Sequence, residues 1–325
     1  MEPSTTTQNN ANNSQMEYVF GRVVPTLVMI ESPQDNIDFE PIPTTDSDDA
    51  MAKDPEHITR PTTQYISSSF RRSFHMLRAE GGRFRGFAIF VAHRAAVAFV
   101  AKLLSNTLGF LPIFVWAVGA SVLCAQLSLG WTLIVISKPS PKFWFRRIPS
   151  MKMMKKIAIP TAVHALATQA ALAAPVYLFI ALGLSPDLNQ VVNMPDHERN
   201  ANVGKSFGVM VFGLILSLVL TVPATVMLTR VQASLLSDDE ETIVPFDRTF
   251  GGKVIPEIVG GSGTIGMLEA WTSFDWSARV RLVKAYVKTF AIVFAMCTFF
   301  TILLIAETAF VMSQHEVLIP DDGNN

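Results

Sequence analysis

Apolar positions in this chain gather into long runs with polar stretches between them. Residues 110–137 and 207–229 contain no charge, 157–184 contains only the titratable His164, and 289–311 contains only Glu307 near one end. A helix rises about 1.5 Å per residue and a bilayer core is about 30 Å thick, so a span needs roughly 20 apolar residues. All four runs meet that requirement. A fifth run, 86–105, is apolar apart from His93, Arg94 and Lys102. Lys102 can snorkel from a helix end, but Arg94 near the middle costs on the order of 2.5–3.5 kcal/mol on insertion scales. Its apolar neighbours offset that cost in a span; the alternative is a helix lying in the interface.

The polar connections orient these runs. Segment 138–156 carries Lys138, Lys142, Arg146, Arg147, Lys152, Lys155 and Lys156 and no acid, which marks it as cytoplasmic. Alternation then places 185–206 outside, 230–288 inside and the tail 312–325 outside. Arg71, Arg72, Arg78, Arg83 and Arg85 precede the first run and belong inside. Five spans satisfy every connection and four do not. The expectation is an all-α, multi-pass transmembrane helical bundle of five spans, with four as the alternative. Its N-terminus is cytoplasmic and its C-terminus lies on the opposite side.

Composition agrees. Half of the 325 residues are hydrophobic, 16% are charged and mean hydropathy is +0.34. A soluble domain carries roughly 25% charged residues. The net charge of −1 argues against a nucleic-acid partner. Residues 1–85 read as a disordered cytoplasmic tail with a basic juxtamembrane end. Within it, Val19–Ile30 is a short apolar piece broken by Arg22 and Pro25, read as a turn-and-strand fragment or a binding segment. Ser73 follows Arg71-Arg72, where a phosphate would oppose the basic patch.

The basic connections carry the candidate partner chemistry. Phe143, Trp144 and Phe145 stand among cations in 138–156, which suits the headgroup level. Residues 275–289 look helical, with Asp275 as N-cap. Val280, Val283 and Val287 form one stripe, and Arg281, Lys284 and Lys288 form another. This predicts an amphipathic helix on the inner leaflet before the last span. Candidate contacts to anionic lipid are Arg146, Arg147, Lys152, Lys155, Lys156, Arg281, Lys284 and Lys288, at about 1 kcal/mol per basic residue near the surface. Segment 230–288 is also large enough for a protein partner.

Intramembrane polar residues are a second group: His93, Arg94, Lys102, His164 and Glu307. Lys102 and Glu307 share a depth near the outer boundary and are candidates for pairing. His93, Arg94 and His164 share a depth near the inner one. They either snorkel harmlessly or line a polar path. Ala158, Ala162, Ala165, Ala170 and Ala174 give the span 157–184 a small-residue face suited to a central helix.

Other motifs are weaker. Ser237 and Glu240 have capping-box spacing. Gly261, Gly263 and Gly266 match G-x-G-x-x-G, which reads either as a phosphate-binding turn or as a plain glycine-rich one. Only 23 residues separate Gly266 from the last span, too few for a dinucleotide-binding βαβ unit. Gly204-Lys205-Ser206 lacks the glycine of a P-loop, because Arg199 stands in its place. Asp196-His197-Glu198 are sequence neighbours and read as ordinary loop residues. No H-E-x-x-H, G-x-S-x-G or C-x-x-C occurs. No cofactor or metal is expected.

The run SLLSDDEETIVPFDRTFGGKVIPEIVGGSGTIGMLEAWTSFDWSARVRLVKAYVK (235–288), set between apolar spans, resembles a group of uncharacterised fungal multi-pass membrane proteins, some of them designated ubiquitin carriers. The resemblance covers the last third of the chain and implies no residue roles. Ubiquitin carriage needs a reactive, accessible thiol, whereas Cys124 and Cys297 both fall in apolar runs. The leading expectation is a non-enzymatic membrane scaffold or adaptor that binds anionic lipid or protein on the cytoplasmic side. A transporter or channel-like protein and a membrane-embedded lipid-modifying enzyme are the alternatives.

Overall fold

The computed structural model describes residues 18–32, 70–79, 82, 84–141, 143–185, 190, 194–237, 239–255 and 257–318. The expected disordered tail falls largely on 1–17 and 33–69, outside those residues. Every regular element among the described residues is a helix. The principal ones are α1 (Val19–Ile30), α2 (Phe70–Ala79), α3 (Phe87–Leu108), α4 (Ile113–Leu123), α5 (Ala125–Ile136), α6 (Met151–Ala181), α7 (Asp196–Ala233), α8 (Met267–Thr272) and α9 (Trp276–Leu318). Four of them, α3, α6, α7 and α9, are long and apolar enough to cross a membrane, and α4 with α5 makes a fifth span if the bent pair is taken as one. This is the architecture of a multi-pass membrane protein.

Several local expectations change. Residues 110–137 do not form one straight helix, because the axis bends by 60° between α4 and α5, at Cys124. The bend turns the polar side chains of α5 toward partners. Gln126 Nε2 donates to the Pro149 carbonyl at 2.5 Å, and Thr132 Oγ1 bonds to Gln232 Oε1 at 2.6 Å. Thr132 Oγ1 also reaches the Ser128 carbonyl of its own helix at 3.3 Å; a buried polar group left unpaired would cost several kcal/mol, ~4 or more. Val19–Ile30 is a buried helix, not a turn-and-strand fragment. Both π-helical segments, Val19–Val23 and Ser217–Thr221, stop two residues before a proline, Pro25 and Pro223. Proline has no N–H and its ring presses on the carbonyl four residues back, so the helix widens there and continues.

The chain divides into two units, Thr26–Asp275 and the segment to Pro25 together with Trp276 onward. In the larger unit, α3 and the bent pair form a hairpin. Arg85, one residue before the N-cap of α3, donates from Nε to the Ile134 carbonyl at 2.9 Å, near the end of α5. A Cβ on Gly130 would stand 3.0 Å from Ile89 Cδ1, so the two helices meet closely at that level. The second hairpin is α6 against α7. A Cβ on Gly213 would lie 2.9 Å from Pro175 Cγ. Ile157, near the start of α6, and Val231, near the end of α7, share one buried cluster with Ala125 and Leu129 of α5 and with Leu235, Phe250, Ile265 and Ala270.

Helix α6 packs against α4, α5 and α7. Its buried stripe is Ile157, Pro160, Thr161, Ala165 and Ala171. Of the expected alanine face, only Ala165 is fully buried, and Ala170 is exposed. Helix α7 begins at Asp196, inside the stretch expected to be loop.

In the smaller unit, the first turns of α1 contact α9, and Thr289 Oγ1 donates to the Phe20 carbonyl at 3.2 Å. No non-helical residue interrupts α9. The expected flat amphipathic helix followed by a turn is therefore one continuous rod. Its buried stripe is Ala278, Leu282 and Ala285, while Val283 and Val287 are exposed. The small side chains, not the valines, allow close approach.

Candidate functional site

Three segments distant in sequence meet at one end of the larger unit: Arg85, the connection 137–156, and 234–263. The end of α5 anchors them. A helix C-terminus presents unpaired carbonyls and partial negative charge, and two arginines answer it. Arg85 reaches the Ile134 and Ser137 carbonyls, and Arg147 Nη2 donates to Ser137 Oγ at 2.7 Å. Ser137 also forms an isolated antiparallel bridge with Thr242, supported by Lys138 N to Glu241 O at 2.7 Å and Ile243 N to Ile136 O at 3.0 Å.

Acids of the later segment neutralise part of the basic connection. Lys138 Nζ meets Glu241 Oε2 at 2.6 Å, Arg147 Nη2 meets Glu240 at 3.3 Å, and Lys156 pairs with Glu257. The hydrogen bond and then the charge of Lys138 hold the Glu241 carboxyl below its usual range, and Lys156, with a smaller contribution from the charge of Lys152, does the same to Glu257. Ser237 and Glu240 make a turn, not a helix start: Glu240 N–H donates to the Ser237 carbonyl at 3.1 Å, and the Glu240 carboxylate goes to Arg147. Asp247 organises the next turn. It accepts from Thr249 N at 2.9 Å, Thr249 Oγ1 at 2.7 Å and Gly251 N at 2.7 Å. Burial pushes its carboxyl up, but these hydrogen bonds outweigh burial and hold it below the usual range.

Arg230, at the end of the apolar run 207–229, is a residue that sequence reasoning missed. It is 8% exposed. Nη1 donates to the Met29 carbonyl at 3.0 Å and Nη2 to Ser273 Oγ at 3.1 Å, and its guanidinium lies 4.7 Å from the Phe250 ring centre and 5.4 Å from that of Phe274. It thus ties the last turn of α1 to the 234–275 segment. Ser32 completes the tie, with its N–H on the Pro245 carbonyl at 2.9 Å and its Oγ accepting from Asp247 N at 3.1 Å. The available signal was an arginine ending an otherwise charge-free run.

The expected lipid-contacting residues separate into two sets. Arg147 and Lys156 are engaged with acids, whereas Arg146, Lys152 and Lys155 are exposed. Beside Arg146, the exposed rings of Phe143 and Phe145 stack with centres 5.5 Å apart. In the smaller unit, Lys284 and Lys288 are exposed on α9, and Arg281 Nη1 donates to Ser277 Oγ at 3.3 Å. Ser73 is buried, so the expected phosphate acceptor is inaccessible in this structure.

Of the polar residues expected within the membrane, Arg94 and Lys102 are exposed on α3, His93 and His164 are half-buried, and Glu307 is exposed on α9. Cys124 is half-buried at the α4–α5 bend, and Cys297 is exposed within apolar α9. Asp196 and Glu198 sit in the first turn of α7, where negative charge suits the helix dipole, and Asp196 pairs with Arg199. No cluster of three metal-ligating side chains occurs among the described residues.

The glycine-rich segment is folded on itself. Gly263 N–H donates to the Ile255 carbonyl, Gly260 N–H to the Glu257 carbonyl, Thr264 N–H to Ser262 Oγ, Ile265 N–H to Ser234 Oγ and Gly266 N–H to Glu269 Oε2. A phosphate cradle needs such amides unpaired and convergent. Here the amides of Gly260, Gly263, Thr264, Ile265 and Gly266 are taken by acceptors of the protein itself, which favours the plain-turn reading. Comparison with known protein families and with curated proteins returns no match.

Proposed function

We propose that this membrane protein is a non-enzymatic scaffold whose polar end faces the cytoplasm and binds anionic lipid headgroups. The observation that carries the reading is the division of the basic connection. Internal acids take Lys138, Arg147 and Lys156, and leave Arg146, Lys152 and Lys155 exposed beside the stacked Phe143–Phe145 pair. Cations with aromatic rings at headgroup level are the chemistry that anionic bilayers select. Within the smaller unit, Lys288 adjoins the apolar part of α9 and offers a further exposed cation. Arg281 lies seven residues, or about 10 Å, further out along the rod, and contributes less.

The proposed topology has five spans, with the bent pair α4–α5 counted as one, the N-terminus inside and the C-terminus outside. Convergence of Arg85, the basic connection 137–156 and the segment 234–263 at one end of the larger unit supports it, since the three then share one side of the membrane. The 234–275 segment is the surface offered to a protein partner.

The test is lipid retention by protein in nanodiscs of graded phosphatidylserine content. The triple change Arg146→Gln, Lys152→Gln and Lys155→Gln should weaken the preference for anionic lipid about a hundredfold, at about 1 kcal/mol per charge. Equal preference in wild type and triple variant would sink the reading. Substrate-dependent flux in proteoliposomes, or lipid turnover by the purified protein, would replace it.

A further inference from the structure

Residues 257–263 fold back on Ile255 as a closed loop with an apolar tip. Gly263 N–H donates to the Ile255 carbonyl at 3.0 Å and closes the neck. A Cβ on Gly261 would stand 2.2 Å from that same carbonyl oxygen, so only glycine lets the two sides of the neck touch. Gly263 itself holds φ +65°, a region that side chains other than glycine rarely adopt. The neck thrusts the tip outward: Ile258 is 100% exposed and Val259 is 75% exposed. Two adjacent branched apolar side chains fully out of the fold call for a partner phase.

One ion pair fixes where the tip stands. Lys156 Nζ reaches Glu257 Oε1, and donates to the Ser262 carbonyl at 2.7 Å. Lys156 is the last charge on α6 before its uncharged run. At helical spacing, Lys152, Lys155, Lys156, Ile159 and Leu166 share one face of α6, and Ile159 and Leu166 are exposed. The loop is therefore docked on the outward face of α6, at the level where lysines give way to apolar side chains.

We infer that Ile258 and Val259 form a membrane anchor seated in the interfacial layer of the bilayer around α6, between headgroups and acyl chains. Lys152 and Lys155 flank it at phosphate level. Lipid is the occupant because the tip borders a helix face whose next turns are themselves apolar and exposed. The glycine pattern is then the hinge-work that presents the anchor. The inference rests on α6 crossing the bilayer and adds an uncharged contact to the lipid reading above.

The test places an environment-sensitive fluorophore on Ile258→Cys in a Cys124→Ala, Cys297→Ala background, in nanodiscs of pure phosphatidylcholine. Shallow doxyl-labelled lipid should remove most of the emission and aqueous iodide little of it. Lys253→Cys, exposed on the preceding turn, should respond the opposite way. A fluorescent unnatural amino acid at position 258 gives the same readout with the native cysteines in place. Quenching of position 258 by iodide to the extent seen at 253 overturns the inference. So does shielding from both quenchers, which would put a protein over the tip. Zwitterionic lipid separates this result from the anionic-lipid reading: loss of phosphatidylserine preference with doxyl quenching intact rejects only the latter.

Discussion

Replacing Arg230 should loosen the polar end of the larger unit more than any surface charge would. The guanidinium makes two hydrogen bonds, to the Met29 carbonyl and Ser273 Oγ, and faces the Phe250 and Phe274 rings. Two charge-assisted bonds at about 1.5 kcal/mol each and two ring contacts at about 0.5 kcal/mol each give roughly 4 kcal/mol. Part of this is returned in Arg230→Ala, because a charge no longer has to be held out of water. A net loss of about 2–3 kcal/mol follows, or roughly 5–10 °C in thermal midpoint for a unit of this size. Arg230→Lys keeps the charge and one bond at most, and should fall between wild type and alanine. The assay is a thermal melt in detergent followed by size-exclusion chromatography, with hydrogen exchange on residues 26–32. Exchange there should rise far more than on α6, since those amides belong to the element that Arg230 holds. A midpoint shift under about 1 °C, or a uniform rise in exchange, would refute the argument.

Gly213→Ala should lower folded yield, because the new Cβ meets the rigid Pro175 ring at 2.9 Å and one helix must shift, at about 1–3 kcal/mol; wild-type yield and melting would show that the α6–α7 approach is looser than this. Asp247 has a folded pKa below its unfolded one, so its contribution to stability is complete above about pH 5 and is lost as pH falls through the folded value. The gap in midpoint between wild type and Asp247→Asn should therefore be flat from pH 5 to 8 and close below about pH 4; a gap that widens on acidification has the wrong sign. For topology, single cysteines at Ser150 and Gly252 should react with an impermeant reagent from one side of the membrane, and one at Asn193 or a C-terminal tag from the other. N- and C-termini found on the same side would remove the five-span arrangement.

Much of the helical architecture was legible because hydropathy is a local property. The four long apolar runs and the doubtful fifth all contain helices, and 86–105 corresponds to α3 within a few residues. What was not legible depends on partners far along the chain. The break at Cys124 has no proline or glycine to announce it, and its benefit appears only when Gln126 and Thr132 find Pro149 and Gln232. The π-helical segments were hinted at by Pro25 and Pro223, but the hydropathy pattern alone shows only a run that is short or interrupted. The buried stripe of α9, Ala278, Leu282 and Ala285, was not legible, because two alanines and one leucine stand out less in the sequence than the valines, of which Val283 and Val287 are exposed.

The polar end shows the same division between local and distant information. Seven basic residues in 138–156 with no acid among them read as free charge, and a count within the segment can yield nothing else. Helices α6 and α7 form an antiparallel hairpin, so the connection before α6 and the segment after α7 must come back to the same level. Lys138–Glu241, Arg147–Glu240 and Lys156–Glu257 are what that return produces, each pair separated by 93 to 103 positions. The acids at 240, 241 and 257 thus subtract from the basic connection three charges that no window along the sequence could have subtracted. The two glutamates whose carboxyls are held low, Glu241 and Glu257, stay ionised well below neutral pH, so the subtraction persists at physiological pH. A hairpin of known register and a basic connection before it are together enough to ask which acids follow it. That question, more than the net charge of either segment, decides which cations remain for a partner.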